Sequence, residues 1–216
     1  GAAINPNDPT DVTLYIDSSD KGKVSLDDAK ELVAFFTAAL KTDKKDIWVN
    51  LSPSEEDRII DETLEDTDVA NVLLEQDYLL KQLSASLTHP ETQTGKAYWN
   101  SSLEPIMQKI WITPERAQIY TGKENVAFIT DATLNVETES KYMGYDEESA
   151  VNHLLPAIKE EINKGANFAK LRSLFSALII AQWYKQKVSG TGLERVLDNK
   201  NLNGIKFYEG QDNKEK

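Results

Sequence analysis

Leu174-Phe-Ser-Ala-Leu-Ile-Ile-Ala-Gln-Trp-Tyr184 is the longest apolar stretch of the chain, interrupted only by Ser176 and Gln182. It is too long for an ordinary strand and too short to span a bilayer. A helix that is apolar nearly all round has to be wrapped by other elements. The stretch therefore predicts a central helix over about 168–188, with the rest of the chain folded around it. Gly165 before it suits the residue just past a preceding helix, and Asn167 suits an N-cap.

Working back from this helix, Val151, Leu154, Leu155, Ile158 and Ile162 recur at helical spacing and predict a helix over about 147–163. Pro156 falls inside it and is expected to kink it or to start its second half. Val69, Val72, Leu73, Leu80, Leu83 and Leu87 form the stripe of a second helix, capped by Thr67 or Asp68 and ended by His89-Pro90. Ser25 with Asp28 three residues on has the form of a capping box, opening a helix to about Leu40.

Between the helical segments the pattern changes. Ile110-Trp-Ile112, Ala117-Gln-Ile-Tyr120 and Val126-Ala-Phe-Ile129 are short β-rich runs, with Leu134-Asn-Val136 as a fourth. Pro114 and the turn-forming 122–125 separate them, which predicts a small antiparallel β-meander over about 110–137. Val12-Thr-Leu-Tyr-Ile16 reads as a short strand. The fold class is thus α+β. The expected organisation is a flexible N-terminal segment at 1–11, one domain at 12–205 and a polar tail at 206–216.

Composition narrows the function classes. The 216-residue chain carries 24 Lys and Arg against 36 Asp and Glu, a formal charge of −12. Such a chain is poorly suited to nucleic-acid backbones or anionic membranes, and a partner with a basic surface suits it better. With no cysteine, thiolate catalysis, Cys-ligated zinc and iron–sulfur clusters are excluded. No cofactor is implied and no membrane insertion is expected. Cytoplasmic and exported locations are both compatible with the composition.

Three segments carry a resemblance: 46–53 (DIWVNLSP), 75–91 (EQDYLLKQLSASLTHPE) and 167–185 (NFAKLRSLFSALIIAQWYK). They resemble a family of uncharacterised bacterial proteins, often long chains, with 75–91 as the most specific string. The resemblance spans roughly residues 30–190. It implies a bacterial origin and a self-consistent domain, and it carries no activity and no catalytic residue.

Candidate sites are few. Asp17, Ser19 and Asp28 match positions 1, 3 and 12 of a calcium loop, with Gly22 at position 6. Lys21, however, stands where an oxygen ligand is needed, and a strand-to-helix turn accounts for the same residues. Eight acids between Glu55 and Asp68 form either a docking face for a basic partner or a solvated helix face. His89 and His153 are the only histidines. Either could serve a hydrolytic site with Glu75, Asp77 or Glu91 as neighbours, although neither lies in a motif with a mechanism. Glu75, Gln76, Asp77, Gln82 and Gln182 interrupt apolar helices and could line a ligand pocket or act as buried hydrogen-bond partners. Trp48, Trp99, Trp111 and Trp183 suit a carbohydrate-stacking surface or the core. The favoured reading is a non-catalytic interaction or structural module. A hydrolase with a His/carboxylate or paired-carboxylate site and a small-ligand-binding domain stand as alternatives.

Overall fold

The computed structural model describes residues 1–16, 25–41, 67–93, 95–96, 110–121, 125–138, 150–189 and 206–209. The fold is α+β. In chain order the longer described elements are β1 (Ala2–Asn5), β2 (Asp8–Ile16), α1 (Leu26–Lys41), α2 (Asp68–Leu87), β3 (Ile110–Thr121), β4 (Val126–Thr138), α3 (Ala150–Lys164), α4 (Ala169–Val188) and β5 (Lys206–Glu209). The strands form one five-stranded sheet in the order β3-β4-β1-β2-β5. β1 pairs antiparallel with β2 and with β4, while β2 pairs parallel with β5.

The segment expected to be a meander is strand on both sides of 122–125, but as two long strands rather than several short ones. Pro114 does not break β3. A terminal strand has one unladdered side, so a residue without an N–H can be accommodated there. Asn125, just before β4, has φ 55, a left-handed conformation that asparagine tolerates better than most residues. The Asn125 carbonyl accepts the Ile4 amide at 3.0 Å, tying the residue before β4 to β1.

The sheet also recruits both segments expected to be irregular. Residues 1–11 were expected to be flexible, yet β1 lies between β2 and β4, and Asn5 pairs with Asp8 across Pro6-Asn7. Local bonds shape this turn: the Asn5 side chain accepts the Asn7 amide at 3.0 Å and donates to Asp11 at 3.1 Å. In the tail, 206–209 forms β5, although 206–216 reads as polar and unstructured. Phe207 and Tyr208 favour extended backbone, and parallel pairing with β2 supplies the ladder.

Contacts divide the chain into two compact units. The first comprises Gly1–Lys44, Ala117–Ala132 and Leu174–Lys216. Here Ala2, Ile4, Val12, Leu14 and Ala127 form the buried face of the sheet. Phe35, Phe36 and Leu40 of α1 and Leu174, Phe175, Leu178 and Ala181 of α4 are buried as well. Tyr184 ties these layers together. Its ring meets Phe36 edge-on at 6.0 Å and its hydroxyl donates to the Pro9 carbonyl at 2.8 Å. Leu178 is fully buried, as its setting in the apolar stretch requires, whereas Ile179 is only half-buried.

The second unit comprises Lys45–Arg116 and Thr133–Ser173. Its α2 and α3 pack together, with Val69, Leu73 and Leu80 of α2 and Leu154, Ile158 and Ile162 of α3 buried. Pro156 lies within α3, which continues through it as one element, so the proline does not begin a separate second half. Beyond α3, residues 166–168 form a 3-10 turn led by Gly165, so Asn167 sits inside that turn instead of capping α4.

Candidate functional site

The polar residues that interrupt α2 separate into two environments. Successive helical residues step 100° around the axis, so Glu75 and Asp77 point to different sides. Glu75 is exposed and lies 3.5 Å from the Lys170 ammonium. Gln76 and Asp77 face inward at 1% and 4% exposure, together with Ser84 at 2%. One oxygen of Asp77 accepts from Lys81 at 2.7 Å. Its other oxygen, both polar atoms of the Gln76 amide and the Ser84 hydroxyl are buried with no hydrogen-bond partner among the described residues. Burial raises the Asp77 carboxyl above its ordinary value, and the bond and charge of Lys81 act against that rise.

The histidines do not join this group. His89 is exposed, past the end of α2, where its Nδ1 accepts the Glu91 amide at 3.4 Å. Ten residues separate Asp77 from the last helical residue, Leu87, about 15 Å of helix at 1.5 Å per residue. Glu75, Asp77 and His89 are therefore not assembled into one site. His153 lies in α3, and its side chain is outside the described residues.

Of the calcium-loop candidates, Asp17 and Ser19 lie outside the described residues. Asp28 serves the capping box of α1: Oδ2 accepts from the Ser25 amide at 3.1 Å and the Ser25 hydroxyl at 2.7 Å, and Ser25 Oγ accepts the Asp28 amide at 3.1 Å. Among the described residues no group of three or more His, Cys, Asp or Glu could hold a metal ion. No described helix is long and apolar enough to cross a membrane. The acids from Glu55 to Asp66 lie outside the described residues, as do Trp48 and Trp99. The Trp111 side chain is likewise not described. Trp183 is buried at 7% exposure, consistent with a core role.

A further surface feature lies in the first unit. On the sheet face opposite the buried residues, Ala3, Thr13, Tyr15 and Val126 are half-buried and Phe128 is exposed. The Tyr15 and Phe128 rings lie 5.4 Å apart, tilted at 43°. Ile119 and Tyr120 of β3 are also exposed, Tyr120 at 64%. Sheets with one solvated face ordinarily place polar side chains there. The sequence signal is Val126-Ala-Phe128, apolar at every position, which alternation alone cannot assign to a face. No protein-family model, curated protein or solved structure matches the chain.

Proposed function

We propose that the chain is a non-catalytic interaction module of a bacterial protein, working through the outer sheet face and the β3–β4 hairpin of its first unit. The observation that carries this reading is the grouping of Ile119, Tyr120 and Phe128, three of the six large apolar side chains exposed among the described residues, on one hairpin. Exposed aromatic surface of this kind costs solvation unless a partner covers it, and Tyr is enriched at such interfaces. The inward polar group on α2 offers less to a hydrolase, because its one ionisable acid pairs with Lys81.

Site-specific photo-crosslinking tests the proposal. A photoreactive residue replacing Phe128 should give one discrete adduct in extract of the source cells, lost in Tyr15→Ser. The same group at exposed Glu160 should give none. A diffuse ladder from both positions would count against the module, and so would turnover of a peptide, ester, phosphate or glycoside substrate.

A further inference from the structure

We propose that β3 pairs with β3 of a second copy of this chain, antiparallel and about a two-fold axis at Ile119. This rests on the interaction-module reading and names the partner. Among the described residues β3 is terminal in the strand order, so no described strand pairs with one side of its backbone. Terminal strands are normally guarded by charge, proline or a covering element. Here Pro114, Glu115 and Arg116 guard only the first part. From Ala117 to Thr121 the strand has no charge and no proline, and Gln118, Ile119, Tyr120 and Thr121 are all exposed.

Symmetry sets the register. A two-fold contact presents the same patch from both copies. Pairing Ala117–Thr121 with itself centres the axis on the third residue, Ile119. Ile119 then faces its own copy, Gln118 faces Tyr120, and Ala117 faces Thr121. Paired residues project to the same side of a sheet, so the two Ile119 side chains meet while each Tyr120 ring covers a Gln118 stem. No charge opposes a like charge within the run. That matters for a chain of net charge −12, whose copies repel over most other approaches. A charged peptide would find no ion pair along this run, so a neutral, self-complementary strand is the better occupant. A five-residue contact is below the size of a standard stable interface, so the association is weak and depends on concentration.

Sedimentation equilibrium on the intact chain tests this, together with amide hydrogen exchange. The weight-average mass should rise from 24.3 kDa towards twice that over roughly 0.01–1 mM, the range suited to an interface below standard size. Exchange at 117–121 should slow over the same concentrations. Ile119→Lys, checked for an unchanged circular dichroism melt, should weaken association at least about tenfold, since it places two like charges face to face. If that variant does not fold, the wild-type exchange data decide alone. Association that leaves exchange at 117–121 unchanged, or that survives Ile119→Lys, overturns the pairing. A monomer at all concentrations also overturns it. If that monomer still gives the discrete cross-link from position 128, the module reading stands; without the cross-link, both readings fall.

Discussion

The side chain of Asn163 holds the backbone of Leu134 as a neighbouring strand would. Its Oδ1 accepts the Leu134 amide at 2.8 Å, and its Nδ2 donates to the Leu134 carbonyl at 2.9 Å. The same Nδ2 donates to the Lys159 carbonyl at 2.8 Å within α3. One turn back, Lys159 reaches Glu115 at 2.8 Å and Asn135 at 3.2 Å. A single helix face thus grips both long strands within the second unit. Leu134 is buried, so losing the amide leaves a backbone donor and acceptor unmatched. Asn163→Ala should cost about 1–3 kcal/mol, the range for a stranded buried group. Asn163→Asp should also destabilise at neutral pH, because a carboxylate cannot donate to the Leu134 carbonyl. Chemical denaturation measures both, and unchanged midpoints would show the clamp to be energetically idle.

Arg172 closes the C-terminal end of α3. Its Nη1 donates to the carbonyls of Ile162 at 2.7 Å and Gly165 at 2.8 Å. Helix-terminal carbonyls lack partners within the helix, and a cation there also meets the negative end of the dipole. Arg172→Met keeps much of the stem and removes the donors. A loss of about 1.5–3 kcal/mol is expected for charge-assisted bonds, read from the thermal midpoint. An unchanged midpoint would mean that water serves these carbonyls equally well.

Asp77 gives a pH signature. Burial raises its folded-state pKa above the ordinary value of 3.8. The folded protein therefore binds this proton more tightly than the unfolded chain does. The associated stability is full below 3.8, is lost as pH rises through the folded value, and stays absent above it. Asp77→Asn removes that loss. The variant should be more stable than wild type at neutral pH, with the gap shrinking on acidification. A variant less stable at pH 7 would show that the Lys81 bond outweighs the burial.

Gln76 is the cleaner comparison, because neither amide atom has a partner among the described residues. Replacing an unmatched buried polar group by an apolar one of similar shape is neutral or stabilising. Gln76→Met should hold or raise the thermal midpoint. A loss above about 1 kcal/mol, the worth of a typical satisfied hydrogen bond, would reveal a partner that only the polar side chain engages.

Within α4, Leu178 and Ile179 should respond differently despite their adjacency. Leu178→Ala leaves a cavity at a fully buried position, for which about 2–5 kcal/mol is usual. Ile179→Ala, at a half-buried position, should cost distinctly less. Equal losses in denaturant titrations would contradict the burial difference.

The helices of this protein are legible because their information is local. The apolar stretch 174–184, the stripe of α2 and the Ser25–Asp28 box each lie within a few turns of chain, where a 3.6-residue period or a three-residue spacing suffices. The sheet was only half legible. The β-rich runs marked β3 and β4, but their fusion across Pro114 depends on β3 being a terminal strand. The candidate sites fared as isolated residues do. Asp77 and Glu75 are two positions apart yet lie in different environments, and His89 sits beyond the helix end from both.

What the sequence by itself determined is the α+β class, the central helix and the position of the long β hairpin. The tertiary structure decided that residues 2–5 lie between β2 and β4, that 206–209 joins β2 in parallel, and that Phe128 faces outward while Ala127 faces in. The physical reason is range. Helical hydrogen bonds close between residues four apart and so leave a local pattern. A strand's partner can lie anywhere in the chain, and a short segment such as Ala2–Asn5 gains its ladder and its buried face only once β2 and β4 flank it.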